Sequence, residues 1–301
     1  MKALAVDGLT KRYGSVKAVE DVTFHIERGE VFGYLGPNGS GKTTTLRCLM
    51  GFLRPTQGVC EVLGQRIVPG RATQHRRIGY LPGDFHIWPG RTGRQSLALL
   101  AALGQDLDLR PTQQALAERL EVDLDRRVET LSKGNRQKIG VISAFQHQPD
   151  LLVLDEPTSG LDPLMRQVVL ELIREATKVG ATVLLSSHDL SEVSAICERA
   201  AILREGRLVE VAPISQIVQR GERRLKVWFV EKSPQPSGIP DDLTGVRIVE
   251  QNGNTQEIAY QGRADTLLKW LAQYQVDRIT TPQTSLEEAF MQYYQGKTNG
   301  D

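Results

Sequence analysis

Cysteine is scarce in this sequence, and the few cysteines present are scattered. Cys48, Cys60 and Cys197 form no Cys-x-x-Cys pair and no cluster with histidine among the 301 residues. A disulfide-built fold would need more cysteines, and a structural zinc site would need them in pairs. We therefore expect reduced thiols in the core of a cytosolic protein.

Long apolar runs and an excess of one charge are also lacking. The longest apolar stretch, Ser96–Leu103, is far below the ~18 residues that a membrane span requires. The first residues contain no apolar segment of a signal peptide. Lysine and arginine, 37 in all, balance 36 aspartates and glutamates for a net charge of +1. We therefore expect no nucleic-acid partner, and any action at a membrane would require a membrane-embedded partner.

What the sequence does contain is a glycine-rich stretch in the P-loop pattern, Gly-x-x-x-x-Gly-Lys-Thr. Its glycines let the backbone turn tightly and point N–H groups at an anion. Lys42 supplies a charge to the outer phosphates of a nucleotide, and the Thr43 hydroxyl binds Mg²⁺. An apolar strand before the motif and a helix after it supply the expected context, because a helix N-terminus favours bound phosphate. The predicted nucleotide-binding residues of this segment are Gly36, Pro37, Asn38, Gly39, Ser40, Gly41, Lys42, Thr43 and Thr44.

Polar side chains follow two further apolar strands. The run Leu151–Leu154 is entirely apolar, as in a sheet covered on both faces, and it ends in Asp155 and Glu156. Carboxylates at this end of a parallel strand lie where α/β sheets bind ligands. Asp155 is therefore predicted to hold Mg²⁺, and Glu156 to polarise a water molecule. His188 follows the next apolar strand and is expected at the same sheet edge, although a lone histidine is more often structural.

One aromatic side chain lies in a basic segment near the N-terminus. Residues 3–9 and 20–27 alternate apolar and polar side chains like half-buried strands, and Leu9–Val19 is predicted to join them as a loop. Tyr13 in this loop suits stacking on an adenine ring. A tyrosine packed on its own strands fits the spacing equally well, so the pattern leaves both interpretations open.

The character of the sequence changes over residues 92–148, which read as a helical insertion. The loop before it, Gly83–Gly90, is bounded by glycine and proline yet contains Phe85, Ile87 and Trp88. These apolar side chains form either part of a partner-binding groove or a local cluster under the helices. The helical patterns of the insertion lie near 94–104, 111–122 and 135–147.

The predicted fold is an α/β P-loop NTPase cassette with an antiparallel β subdomain and a helical insertion, followed by a small C-terminal α+β domain. The predicted limits are 1–220 for the ATPase domain, with a helical subdomain at about 84–149, and 221–301 for the accessory domain. No P-loop or carboxylate pair recurs in the accessory domain. Its predicted elements are strands at 223–230, 245–250, 255–260 and 275–280 and helices at 263–274 and 284–294.

Over residues 2 to about 215, these segments together resemble the nucleotide-binding subunit of an ATP-binding cassette (ABC) transporter. The P-loop is similar to the family's Walker A motif, and Leu154–Glu156 to its Walker B motif with the catalytic glutamate. Leu131–Asn135 resembles the signature Leu-Ser-Gly-Gly-Gln, which separates this family from other P-loop enzymes. Ser159–Asp162 also resembles the D-loop of this family. His188 resembles the family's switch histidine, and Tyr13 resembles its adenine-stacking aromatic residue.

Two places depart from the family pattern. The signature has Lys133 for its first glycine and Asn135 for its glutamine, while Ser132 and Gly134 remain. Gly83 stands where the family usually has Gln or Glu, and an aspartate follows it. The role of that loop at the metal is predicted to pass to this aspartate. The metal-contacting residues implied by the resemblance are then Thr43, Asp155 and Asp84.

The resemblance implies an ATPase with ATP and Mg²⁺ as ligands, working as a head-to-tail pair of cassettes. Ser132, Gly134 and Asp162 of one chain would contribute to the nucleotide bound by the other chain. A homodimer at the cytoplasmic face of the cell membrane, held there by a separate integral-membrane permease, is the expected assembly. Thr284–Phe290 is similar to the tail of single-cassette drug, antibiotic and lipid-type exporters. The implied catalytic residues are Glu156, His188 and Lys42.

The alternative is a soluble ABC ATPase that transports nothing, such as a translation or DNA-repair factor. Translation-type members usually carry two cassettes on one chain, and one is present here. Repair-type members insert long coiled coils between Walker A and the signature, whereas residues 42–132 contain no sustained heptad pattern. A P-loop kinase or GTPase would leave the signature and His188 unexplained.

Overall fold

The computed structural model describes residues 1–70, 76–102, 108–220, 223–240, 243–260 and 264–281. The chain divides into two compact units, with the boundary between Pro213 and Ile214. The strands of the first unit are β1 (Lys2–Tyr13), β2 (Val16–Glu27), β3 (Val31–Leu35), β4 (Gln57–Val62), β5 (Gln65–Arg66), β6 (Ile78–Leu81), β7 (Leu151–Asp155), β8 (Thr182–Ser187), β9 (Arg199–Arg204) and β10 (Arg207–Pro213). Its helices are α1 (Lys42–Leu49), α2 (Gly93–Ala102), α3 (Arg110–Arg119), α4 (Lys133–Phe145), α5 (Pro163–Lys178) and α6 (Leu190–Ile196).

The first sheet is antiparallel and confirms the predicted β subdomain. Its strand order is β2-β1-β4-β5. The predicted loop at residues 9–19 is wrong, because β1 and β2 continue pairing through an irregular register as far as Tyr13 and Val16. Only Gly14 and Ser15 form the turn, and Gly14 has the positive φ of 58° that such a tight turn requires. Tyr13 therefore ends a strand.

The second sheet carries the P-loop and both predicted polar strand ends. Its order is β10-β9-β3-β8-β7-β6, with β10 antiparallel to β9 and the other neighbours parallel. Every residue of β3, β7 and β8 is buried, as the apolar runs predicted. Because these three strands are parallel neighbours, their carboxyl ends meet at one edge. The P-loop, Asp155 and His188 follow those ends.

Aromatic stacking joins the two sheets of the first unit. Phe24 on β2 stacks on Phe32 and Tyr34 of β3, with ring centroids 5.6 Å and 5.2 Å apart. Apolar residues of both sheets and of α1 continue this core. Cys48, Cys60 and Cys197 are buried and unpaired, as predicted. The core therefore fixes the P-loop strand against the antiparallel subdomain.

The helical insertion is confirmed as α2, α3 and α4, with ends that differ from the predicted ones by a few residues. Ser132 caps α4, because its hydroxyl accepts a hydrogen bond from the Asn135 N–H at 3.2 Å. Gly140 lets α4 approach the neighbouring strand, since a Cβ there would lie 2.7 Å from Leu81 and Phe85. The signature segment thus starts a helix that packs on the edge strand β6.

The second unit contains α7 (Ile214–Arg220), β11 (Arg223–Phe229), β12 (Val246–Asn252), β13 (Thr255–Tyr260), α8 (Asp265–Leu271) and β14 (Val276–Thr280). Its antiparallel sheet has the order β12-β13-β11-β14, which confirms the four predicted strands. Trp270 and Leu271 of α8 pack with Val227 and Phe229 of β11 in a separate core. The predicted helix 284–294 and the exporter-like segment 284–290 lie outside the described residues. Among the described residues of both units, no helix is long and apolar enough to cross a membrane.

Candidate nucleotide-binding and hydrolysis site

Two glycines of the P-loop, Gly36 and Gly41, lie where a side chain has no room. A Cβ on Gly36 would lie 2.4 Å from the Ser40 hydroxyl oxygen and 2.7 Å from the Leu203 carbonyl oxygen. Gly41 has a φ of 103°, and a Cβ there would lie 2.5 Å from the Ala18 carbonyl oxygen. The loop is therefore fixed between β2 and β9. Its N–H groups lead directly into α1, whose first residue is Lys42.

Lys42 is held by the loop that surrounds it. Its ammonium donates to the carbonyl oxygens of Gly36 and, at 3.2 Å, of Pro37. The Glu156 Oε1 atom lies 4.0 Å from the Lys42 Nζ atom. Burial lowers the pKa of Lys42, and the charges of Glu156 and Asp155 oppose that shift. This cation lies in the cleft among backbone carbonyls and carboxylates, in position to meet a phosphate.

Asp155 and Thr43 form an oxygen pair that fits a divalent cation. The Thr43 hydroxyl donates to Asp155 Oδ2 at 2.8 Å, which links the P-loop helix to the end of β7. Asp155 is 1% exposed, and its Oδ1 atom has no hydrogen-bond partner among the described residues. A buried carboxylate oxygen normally has a partner. Hard oxygen ligands of this kind are those that Mg²⁺ takes in nucleotide sites.

Glu156 follows directly in an unusual backbone conformation. Its φ is 52°, the left-handed region that residues with a side chain rarely adopt. The Glu156 N–H donates to the Ser186 carbonyl oxygen of β8 at 2.9 Å. The Glu156 Oε2 atom lies 2.6 Å from His188 Nδ1, while Oε1 is buried without a hydrogen-bond partner in the described part of the chain. The predicted meeting of carboxylate and histidine at one sheet edge is thus confirmed.

The predicted metal-contacting residue Asp84 lies at the rim of the same cleft. Its carboxylate contacts the Arg47 guanidinium of α1 at 3.3 Å and 3.1 Å, and its side chain is 61% exposed. The preceding Gly83 lets this loop approach the oxygen pair of Thr43 and Asp155, because a Cβ on Gly83 would lie 3.2 Å from Asp155 Oδ2. The role of Asp84 at the metal stays a prediction. Lining the cleft are Ala18, Pro37, Asn38, Gly39, Gly41, Lys42, Thr43, Thr44, Arg47, Gly83, Asp84, Asp155 and Glu156.

The signature and D-loop residues lie elsewhere, against each other. A Cβ on Gly134 would lie 2.8 Å from the Gly160 carbonyl oxygen, and the Lys133 methylenes cover the other side of Gly160. Asp162 caps α5 by accepting from the Met165 N–H at 3.0 Å, and this backbone hydrogen bond lowers the pKa of Asp162. None of these residues lines the P-loop cleft of the same chain. Their predicted nucleotide contacts would therefore be made with a second chain.

Tyr13 is about half exposed at the end of β1 and is not a core residue. The Lys11 ammonium lies 5.1 Å from its ring centroid, a cation–π contact with one ring face. The ring does not line the phosphate cleft. Stacking of adenine on Tyr13 stays a prediction.

Two buried polar residues support the site, and no motif in the sequence marks either of them. Gln137 of α4 is 5% exposed and donates through Nε2 to the carbonyl oxygens of Glu156 and Pro157, at 3.1 Å and 3.0 Å. Glu192 of α6 accepts hydrogen bonds from the hydroxyls of Thr158 and Ser187, at 2.9 Å and 3.2 Å. Burial raises the pKa of Glu192. The only signal in the sequence was a polar residue on the buried face of each helix.

Comparison with known proteins agrees with this geometry. Residues 19–159 match the family model described as ABC transporter. The chain is 31% identical over 305 residues to the bacitracin transport ATP-binding protein BcrA of Bacillus licheniformis, and the alignment covers 97% of each chain. It is also 38% identical over 241 residues to the Nod factor export ATP-binding protein I of Burkholderia thailandensis, which covers 77% of each chain.

Solved structures give the same assignment. An ATP-binding subunit of an ABC transporter superposes with a TM-score of 0.67 at 31% identity, over 71% of this chain and 91% of that one. A dimeric bacterial ABC transporter cassette superposes with a TM-score of 0.65 at 21% identity, and the match covers 70% of this chain and 98% of that one. At this identity the match supports the fold alone. The chain therefore belongs to the ABC transporter family, as an ATP-binding and ATP-hydrolysing subunit.

Proposed function

We propose that this subunit powers export, by hydrolysing ATP at the cytoplasmic face of the membrane while bound to a separate membrane-spanning permease. The observation that carries the ATPase chemistry is the cluster at one sheet edge, where Thr43 meets Asp155 and Glu156 meets His188. A relative named for Nod factor export supports the direction of transport, and a relative named for bacitracin transport supports transport itself. The exporter-like tail at residues 284–290 adds to that support.

Nucleotide binding would depend mainly on the P-loop. Its backbone N–H groups and the start of α1 form an anion site, and Lys42 adds a full charge beside it. The Asp155 and Thr43 oxygens would hold Mg²⁺, since Asp155 Oδ1 is buried without a partner in the described chain. When bound, Mg²⁺ neutralises charge on the outer phosphates.

Hydrolysis would depend on Glu156 and His188. The Glu156 Oε1 atom is buried without a hydrogen-bond partner among the described residues, so it is an acceptor available to a water molecule beside the γ-phosphate. His188 holds the other carboxylate oxygen and fixes the orientation of the group. A base oriented by a second side chain is the usual arrangement in which a water is aligned for attack. Lys42 would offset the charge that develops on the transferred phosphoryl group.

A complete site would need two chains in head-to-tail arrangement. The N-terminus of α4, a helix of 13 residues, would provide a second anion site through Ser132 and the first N–H groups of the helix. This terminus does not line the cleft of its own chain. We therefore place Ser132, Gly134 and Asp162 of one chain opposite the P-loop of its partner. Closure of the pair would exclude water and strengthen each contact with the phosphates.

Mixing two inactive variants tests this arrangement. Lys42→Ala removes the P-loop charge, and Ser132→Arg blocks the signature, so each variant alone should be inactive. In a mixed pair, Lys42 of one chain and Ser132 of the other rebuild one intact site. We expect mixing to restore roughly a quarter of wild-type turnover, because half of randomly formed pairs are mixed and each has one of two sites.

The matched control places both substitutions on one chain and mixes it with wild type. Each site of that mixed pair is damaged, so the mixed pair, once purified away from the wild-type pairs in the same mixture, should have no activity. Two affinity tags report whether mixed pairs form. Absence of recovery in mixed pairs that are shown to form would contradict the head-to-tail proposal.

A further inference from the structure

We propose that Gln137 is a positioning residue that holds residues 156–160 of its own chain, here called the catalytic turn. It would also tie that turn to α4, here called the signature helix because the signature segment begins it. This inference rests on the role proposed above for Glu156. Gln137 does not line the cleft, so it would act through Glu156 and not on the nucleotide.

The first observation is a pair of hydrogen bonds from one buried amide. Gln137 is 5% exposed, and its Nε2 atom lies 3.1 Å from the Glu156 carbonyl oxygen and 3.0 Å from that of Pro157. A side-chain amide has two N–H donors, so each carbonyl can receive one of them. These carbonyls belong to the two consecutive peptide units that follow the left-handed Glu156. The amide therefore restrains the backbone conformation that directs the carboxylate.

The second observation is a further contact between the same two segments. Gly134 and Lys133, at the start of α4, enclose Gly160, four residues beyond Glu156. The first two turns of α4 therefore contact the catalytic turn at its beginning and its end. A displacement of the helix start would be passed to Glu156 through these contacts. Since that start is placed at the partner's nucleotide, Gln137 would connect the two sites of a pair.

A mixed-pair experiment separates positioning of Glu156 from simple support of α4. In the cis arrangement, a Gln137→Met chain is paired with a Glu156→Gln chain, so the only catalytic carboxylate lacks its Gln137. In the trans arrangement, wild type is paired with a chain carrying both substitutions. The only catalytic carboxylate then keeps its Gln137, while the partner's signature helix lacks the amide. Wild type paired with Glu156→Gln is the reference.

We expect kcat of the cis pair to fall about a hundredfold below the reference, the loss expected for a small misplacement of a catalytic group. ATP affinity should stay unchanged, since the P-loop is intact. The trans pair should match the reference. Loss in trans only would assign Gln137 to support of the signature helix alone and overturn the proposal. Loss in both arrangements would show damage to the pair as a whole and, like loss in neither arrangement, would overturn it equally.

Two controls address folding and the role of Glu156. Gln113 donates to Gln146 at 2.7 Å in another buried amide pair, at the far end of α4. Gln113→Met should therefore resemble Gln137→Met in thermal stability and leave kcat unchanged. Gln137→Glu, which keeps the shape and removes the donors, should reproduce the cis-only loss. If the Glu156→Gln homodimer turns over like wild type, the proposed role of Glu156 fails whatever Gln137 does.

Discussion

Glu156 combines a strained backbone with a carboxylate aimed between Lys42 and His188. Glu156→Gln keeps the shape of the side chain and removes the charge that would orient water. We expect ATP turnover to fall about a hundredfold or more, which is within the range for loss of a general base. ATP binding should persist, so the variant should accumulate as a closed, ATP-bound pair. ATPase assays and size-exclusion chromatography with ATP measure both effects.

A second glutamate provides a matched control for this substitution. Glu205, in the turn between β9 and β10, also has a left-handed φ of 50°, but its side chain is 84% exposed. Glu205→Gln makes the same chemical change in the same backbone conformation, away from the cleft. It should leave turnover unchanged. Near-normal turnover of Glu156→Gln would contradict the catalytic role.

Glu192 makes stability depend on pH in a predictable direction. Burial raises its pKa from the usual 4.5, and Asp189 adds to the shift, while Thr158, Ser187 and Arg166 oppose it. The folded chain therefore binds this proton more tightly than the unfolded chain does. The free energy of unfolding should thus decrease as pH rises from about 4.5 through the folded pKa. Glu192→Gln should remove that part of the decrease, as measured by urea unfolding at several pH values.

The control for this prediction is Glu171→Gln, which changes an exposed carboxylate on α5. It should keep the wild-type pH dependence. Glu192→Ala should lower the free energy of unfolding by about 1–3 kcal/mol, because it leaves two buried hydroxyls without their acceptor. A Glu192→Gln variant with the wild-type slope would show that Glu192 titrates normally in the fold.

At the scale of elements, the loop at residues 83–90 divides its apolar residues between core and surface. Ile87 is 9% exposed, and Phe85 packs on Gly140 of α4. Trp88 is 50% exposed. The sequence left open whether these residues form a groove or a cluster, and the structure assigns Ile87 and Phe85 to packing. Trp88 is the one of the three available to a partner.

Trp88→Ala should therefore weaken binding of the membrane partner by about 2 kcal/mol, as for aromatic anchors of interfaces. Thermal stability and ATP affinity of the isolated subunit should change little. Co-purification from solubilised membranes, with identification of the bound permease, measures the first effect. Ile87→Ala is the control and should lose about 2–5 kcal/mol of stability, as for a core truncation. A destabilised Trp88→Ala subunit with intact assembly would place Trp88 in the core.

Most elements could be predicted because their sequence patterns are dictated by burial. The apolar runs of β7 and β8 read as strands covered on both faces, and the P-loop and paired carboxylates marked their carboxyl ends. The hairpin of β1 and β2 was not predicted to its full length. Its distal half pairs with an irregular register, so no simple alternation marks it in the sequence.

The supporting residues of the site could not be predicted for a different reason. Gln137 contacts Glu156, 19 residues away in the chain, and Glu192 contacts Thr158, 34 residues away. A polar residue on the buried face of a helix shows only that a partner exists. The identity of that partner depends on how the helix packs, and a single sequence does not contain that information.

At the scale of the whole molecule, the cleft and its polar residues all belong to the first unit, whose last residue is Pro213. A chain truncated after residue 220 should therefore fold and bind ATP with unchanged affinity. We propose that the accessory domain at 221–301 instead supports pair formation or regulation. Nucleotide titration of the truncated and full-length chains tests this. A large loss of affinity would show that the accessory domain reaches the nucleotide.

The packing around the P-loop also has a genetic consequence. Three segments far apart in the sequence meet there so closely that neither Gly36 nor Gly41 has room for a methyl group beside Leu203 and Ala18. The obstructing atoms include backbone oxygens, which cannot rotate away as a side chain would. Every missense change of a glycine codon adds at least a Cβ. Any such allele at these two positions should therefore behave as a null allele, however conservative the exchange looks.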